Sequence, residues 1–178
     1  MPKVRVATVW FSGCAGCHMS LLDIDETLID LAARIDLRNS PLTDLKVFPE
    51  DGVDVTLVEG AVANEEHLEL ARIARQKSKI IIALGDCAVT GNVPALRNGL
   101  DPDGMIRGLY GSPATSNGAL PYEVVPKLLT RVSPLAEVIA VDLFLHGCPP
   151  PADLIAKAIL ALLDGQAPQL VGSDLKFG

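Results

Sequence analysis

The sequence predicts an α/β protein, an open parallel β-sheet with helices on both faces. Three observations carry this expectation. Four short runs are largely apolar and rich in Val, Ile and Leu, as strands buried on both faces are. Stretches with apolar residues at helical spacing alternate with them. Three of the runs end at a glycine, the punctuation of a strand entering a tight turn.

The first strand is expected over Lys3–Phe11, closed by Ser12-Gly13. From about Ser20, residues Leu21, Ile24, Leu28, Leu31 and Ile35 recur every three or four positions, with Asp23, Glu26 and Asp30 on another face, so one helix is expected. Ser20 followed by Asp23 resembles a helix cap, and Asn39-Ser40-Pro41 ends the unit. The second strand is Val53–Val58. Asn64 with Glu65 and Glu66 then starts a helix, its acids at the positive end of the dipole. Lys79–Leu84 is the third strand, ending in Gly85. Gly91–Tyr122 carries six glycines and four prolines and is expected to be a long ordered loop of functional or partner-bound character. Glu137–Leu145 is the fourth strand, ending at His146-Gly147. After Pro149–Pro151, residues Leu154, Ile155, Ala158, Ile159 and Leu162 form an amphipathic closing helix. The whole chain, residues 1–178, reads as a single domain.

Composition narrows the function. Lys and Arg total 15 against 22 Asp and Glu, a formal charge of −7. That balance disfavours nucleic acid or an anionic membrane surface as partner. The most apolar stretches, Val138–Leu145 and Leu154–Leu163, are too short to span a bilayer and contain Asp142 and Lys157. No secretory signal is expected at the start of the chain, so a cytoplasmic setting with reduced thiols is expected.

The informative feature is the placement of the four cysteines. Cys14 and Cys17 form Cys-x-x-Cys just after the first strand, Cys87 lies just beyond Gly85, and Cys148 follows the fourth strand. In a parallel sheet all these positions fall at one edge, where ligands of open α/β folds sit. Buried structural cysteine explains one or two thiols but not four in strand-end loops. Disulfides are disfavoured by the expected compartment. A thiol oxidoreductase using Cys14 and Cys17 would leave Cys87 and Cys148 without a role. Zinc is chemically possible, but structural zinc sites favour paired short knuckles in small metal-dependent folds. An iron–sulfur cluster suits ligands this far apart in sequence better. Gly13, Gly16, Gly85 and Gly147 would let backbone approach such a cluster, with neighbouring N–H groups donating to its sulfurs.

The motifs Gly13-Cys14-Ala15-Gly16-Cys17-His18-Met19-Ser20-Leu21-Leu22-Asp23, Leu57-Val58-Glu59-Gly60-Ala61-Val62, Gly85-Asp86-Cys87-Ala88 and Gly147-Cys148-Pro149-Pro150 resemble, in the same order, the small subunits of [NiFe] hydrogenases. The similarity is greatest to the short cytoplasmic small subunit of the NAD-reducing, bidirectional group. That resemblance implies a flavodoxin-like domain holding one [4Fe–4S] cluster on Cys14, Cys17, Cys87 and Cys148, proximal to a nickel–iron centre in a separate large subunit. It implies electron transfer onward to diaphorase subunits carrying further Fe–S clusters, FMN and NAD(P).

Glu59 matches an acid near the subunit contact in relatives; as a strand-end carboxylate it could equally cap a neighbouring helix. Asp86 and Pro149 adjoin ligands, as do His18 and His146, whose roles spacing does not define. FMN in this chain is not expected, because the loop that would cradle its phosphate, Ser12–Cys17, serves the cysteines. Single-cluster small subunits of deazaflavin- or heterodisulfide-linked hydrogenases look similar. Complex I relatives fit less well, since they begin with two adjacent cysteines where this chain has Cys14-Ala15-Gly16-Cys17.

Overall fold

The computed structural model describes residues 3–112, 118–121 and 123–176. The elements in chain order are β1 (Val4–Trp10), α1 (Gly16–Leu22), α2 (Thr27–Arg34), β2 (Ile35–Asn39), β3 (Val53–Glu59), β4 (Val62–Asn64), α3 (Glu65–Lys77), β5 (Ser78–Leu84), α4 (Asp86–Thr90), α5 (Pro102–Tyr110), β6 (Leu128–Ser133), β7 (Leu143–Leu145) and α6 (Ala152–Leu163). Five strands form one sheet in the order β2-β1-β3-β5-β7, every neighbouring pair parallel. With the two strands outside this sheet set aside, that is the flavodoxin-like order, and the chain reverses its winding between β1 and β3.

Both faces of the sheet are apolar because the side chains alternate between two buried layers. Val6, Val55, Leu57, Ile82, Leu84 and Leu145 pack with Ile155 and Ala158 of α6 and with Leu21 of α1. Ala7, Val9, Val58, Ile81 and Ala83 face the other way, onto Ala71 and Ala74 of α3 and Ala88 of α4. Register brings the strand ends level: Trp10 pairs with Glu59, Glu59 with Leu84, and Leu84 with Leu145. Cys87 and Cys148 then follow Leu84 and Leu145 at the same offset, on neighbouring strands.

The start of α3 is as expected: Asn64 Oδ1 accepts from His67 N at 2.7 Å, a cap worth about 1 kcal/mol. Elsewhere the structure corrects the sequence reading. The single helix expected from Ser20 is two helices, broken where Asp25 takes φ 51°. Asp tolerates this left-handed conformation better than most residues. Ser20 caps nothing; it lies inside α1, and its hydroxyl donates to the Pro150 carbonyl at 2.6 Å. Ile35, assigned to the helix face, opens the edge strand β2.

The fourth strand is shorter than its apolar run. Residues Leu135–Glu137 form a 3₁₀ turn, and pairing with β5 begins only where Asp142 bonds Ile81 through both its amide and its carboxylate. Leu135, Val138, Ile139 and Val141 pack into the α3 and α4 layer without joining the sheet. Gly91–Tyr122 is not one loop. It holds a 3₁₀ helix over Val93–Gly99 and then α5, capped by Asp101, which accepts from the amides of Asp103 and Gly104. Residues 113–117 and 122 of that stretch lie outside the described residues. β4 and β6 form a separate antiparallel pair. No helix among the described residues is long and apolar enough to cross a membrane.

Candidate metal centre

The carboxyl ends of β1, β5 and β7 deliver all four cysteines to one edge of the sheet. Cys17 is buried in α1, Cys87 is partly buried in α4, and Cys14 and Cys148 are exposed. The four thiols are near enough to influence one another: Cys14, Cys87 and Cys148 each raise the pKa of Cys17, while Cys14 and Cys148 raise that of Cys87. As they stand, no three His, Cys, Asp or Glu side chains among the described residues are close enough to share a single metal ion.

Local backbone geometry builds this edge. Ala15 precedes α1 at φ 66°, a left-handed conformation costing a residue with a Cβ about 1–2 kcal/mol. The turn it makes brings Gly16 N to 3.4 Å from Cys14 Sγ. Gly85 sits at φ 82°, and a Cβ there would collide with Cys17 Sγ. Between the Cys87 and Cys148 loops, Gly85 N donates to Leu145 O at 2.8 Å, Asp86 N to Gly147 O at 2.9 Å, and Gly147 N to Asp86 Oδ1 at 2.8 Å.

The same geometry bears on the glycines and on two residues that adjoin the cysteines. The amides of Gly85 and Gly147 are spent within the protein and do not point to sulfur, unlike that of Gly16. Gly13 has ordinary room beside Gly60, Glu59 and Trp10, so no close approach demands glycine there. Asp86 is a buried tie between two cysteine loops. Pro149, exposed and following a cis Cys148–Pro149 peptide, lies near Gly16.

Glu59 and His18 form the interior support. Glu59 is 1% exposed, and its carboxylate accepts from the amides of Cys17 (3.4 Å) and His18 (2.9 Å) and contacts His18 Nδ1. Of the two readings of Glu59, the helix-capping one matches this geometry: the end of β3 caps the start of α1. His18 is equally buried, and its Nε2 has no hydrogen-bond partner among the described residues.

The electrostatics of the set are one-sided. Burial pushes the Cys17 thiol well above its ordinary range, and Glu59 and the three other cysteines push it further. Burial and the same kinds of neighbours also raise Cys87, with the Val93 amide opposing them by hydrogen bonding. A redox nucleophile needs a lowered thiol pKa, and Cys17 has the opposite. Four thiolates can coexist here only against concentrated positive charge, which is what thiolate-bound metal provides. The donor set therefore fits an iron–sulfur group, which requires several thiolates and tolerates their spread.

One residue that the sequence reading did not single out joins this edge: Asn92, whose Nδ2 lies 3.5 Å from Cys148 Sγ. The only local signal was the Gly91-Asn92 pair, a turn dipeptide with nothing to link it to a distant cysteine.

Comparison with known proteins agrees with this architecture. Residues 14–162 match the family described as NADH ubiquinone oxidoreductase, 20 Kd subunit. The chain is 41% identical to an F420-non-reducing hydrogenase subunit of Methanothermobacter thermautotrophicus, over 97% of this chain and 58% of that protein. It thus spans less than two thirds of that relative's length. It is 38% identical to the NAD-reducing hydrogenase HoxS subunit delta of Cupriavidus necator, over 98% of this chain and 86% of that one. A chain in the crystal structure of NAD+-reducing [NiFe]-hydrogenase in the H2-reduced state superposes with a TM-score of 0.91 at 36% identity, covering 99% of this chain and 100% of that chain. The chain belongs to the NADH ubiquinone oxidoreductase 20 kDa subunit family, among the hydrogenase small subunits that include the delta subunit of the NAD-reducing enzyme.

Proposed function

We propose that this chain is the electron-transfer small subunit of an NAD(P)-linked [NiFe] hydrogenase, and that Cys14, Cys17, Cys87 and Cys148 are the ligands of one [4Fe–4S] cluster. The observation that carries the reading is the gathering of four thiols from three loops around a buried cysteine whose thiolate needs a strong counter-charge. Their spread favours a polynuclear group over a single zinc ion. Such a cluster supplies reversible one-electron chemistry when bound.

The chain's own residues position the ligands. Glu59 caps α1 and so orients Cys17; Asp86 and Gly147 lock the Cys87 and Cys148 loops together; the Gly16 amide donates to Cys14 sulfur. With four cysteines in the sequence, a second cubane has no thiolates left to hold it. On this reading the single cubane held here relays electrons between other centres. On this reading a large subunit carries the nickel–iron centre, diaphorase subunits carry Fe–S clusters, FMN and NAD(P), and the assembly is cytoplasmic. Residues 1–178 act as one flavodoxin-like domain. A second reading, an F420-non-reducing type of assembly with a different electron acceptor, is favoured by the 41% identity to the Methanothermobacter protein. The proteins that co-purify separate the two.

The test is iron, zinc and acid-labile sulfide per chain in anaerobically purified protein. About four iron and four sulfide are expected, falling in Cys87→Ser together with the electron paramagnetic resonance (EPR) signal of the reduced cluster. Zinc without sulfide overturns the proposal.

A further inference from the structure

The elbow Gly91–Val93, between α4 and the following 3₁₀ helix, supplies no cysteine and ties no two cysteine loops together. Gly91 ends α4 at φ 88°, and Asn92 follows at φ 32°, ψ −128°, backbone that a residue with a side chain adopts only when its surroundings impose it. The surroundings do impose it. Asn92 N donates to Thr90 Oγ1 at 3.3 Å, and its carbonyl accepts from Ala95 N at 3.1 Å. Further along, Arg97 donates to the carbonyls of Ala63 and Leu129, and Asn98 exchanges two hydrogen bonds with Val132. The 3₁₀ helix is thereby pinned to β4 and β6, which fixes the elbow from the far side.

A side-chain donor emerges from this held geometry toward a cysteine 56 positions away. Asn92 Nδ2 is 3.5 Å from Cys148 Sγ. Donors to ligand sulfur stabilise the more negative, reduced state of a bound cluster and so raise its potential.

We infer that Asn92 is a tuning residue, and that the elbow is a clamp that holds its amide donor on the Cys148 sulfur and biases the bound cluster toward its reduced form. The inference rests on the cluster reading proposed above. A residue needed only for the turn would be best served by glycine at this φ and ψ; the amide side chain is what glycine cannot supply.

The experiment uses the full chain, reconstituted anaerobically with ferrous iron and sulfide, as wild type, Asn92→Gly and Asn92→Asp. Glycine frees the backbone and removes the donor; aspartate keeps the shape and replaces the donor with a negative charge. Iron and sulfide content, the EPR signal and a redox titration are measured on each. All three proteins are expected to hold the same iron. At the wild-type midpoint the reduced-to-oxidised ratio is expected to fall about three- to tenfold in Asn92→Gly, tenfold being 59 mV for one electron. It should fall further in Asn92→Asp. Full clusters with an unmoved ratio in both variants overturn the clamp alone. So does loss of iron from both variants with a native circular dichroism spectrum, which would make the elbow a scaffold. A wild type that assembles no cluster overturns the cluster reading and the clamp with it.

Discussion

The two edges of the five-stranded sheet are built on opposite principles. At the amino edge charges meet their opposites within the chain. Arg5 contacts Asp51 and Asp54, Lys79 contacts Asp54, Lys77 contacts Glu50, and Arg75 contacts Asp142, at 2.6–3.5 Å. At the carboxyl edge the groups are alike: four thiols, whose neighbours among them raise the pKa of Cys17 and Cys87, beside the buried carboxylate of Glu59. Two of the three non-glycine residues with positive φ among those described, Ala15 and Asn92, also lie there. The amino edge is complete as folded, and its exposed pairs each contribute modestly. The carboxyl edge holds strained backbone and thiols that resist ionising together, an arrangement that an added positive centre would relieve.

Crowding of the cysteine edge is the sharpest point at which to break this contrast. Gly85→Ala places a Cβ into Cys17 Sγ at φ 82°. The steric and left-handed penalties together predict a loss of about 2–5 kcal/mol in denaturant unfolding, with iron uptake lost. A variant as stable as wild type would mean the edge has room that its geometry denies.

A smaller effect is expected from Glu59→Gln. The amide keeps one acceptor oxygen but faces the Cys17 and His18 donors with an NH2 group, leaving a buried donor unsatisfied. About 1–3 kcal/mol should be lost, and iron held at Cys17 should be less protected, read as faster chelator-induced bleaching. Unchanged stability and bleaching would remove Glu59 as the support of α1.

The smallest effect belongs to the amino edge. Burial alone would raise the Asp54 pKa, but Lys79 and Arg5 outweigh it and hold it at about 2, below the ordinary 3.8. A depressed pKa adds stability above the unfolded value that is lost as pH falls through the folded one. Wild type should therefore lose this contribution between pH 3.8 and about 2, and Asp54→Asn should flatten that window. At neutral pH the variant should lose at most about 1 kcal/mol, less in high salt. A larger loss, insensitive to salt, would show that the amino edge is not self-sufficient.

How much of this was legible in the sequence differs between the edges in a physical way. The strands β1, β3 and β5 and the cap of α3 were readable because burial on both faces and local capping leave a residue-level imprint. The cysteines were readable as an edge because parallel strands share a direction. What was not readable depended on tertiary competition. Ile35 continues the period of α2, yet pairing with β1 claims it for β2. The run before Leu143 has strand composition, yet Asp142 takes the Ile81 amide and sets the start of pairing. In the stretch after Gly91, Asp101-Pro102 was a local helix start that the surrounding glycines concealed. Asn92 left almost no trace, since its partner lies 56 positions away.

The tie between Gly85, Asp86 and Gly147 also sets an order of events. β7 has three residues and sits at the sheet margin, so it is the part of the cysteine edge most open to local fraying. When it detaches, the bonds to Leu145 O and Gly147 release together, and Cys148 departs while Cys14, Cys17 and Cys87 remain anchored by β1 and β5. Hydrogen exchange at Gly85 and Asp86 amides therefore times the release of Cys148, and the integrity of the cysteine edge is governed by the lifetime of its shortest strand.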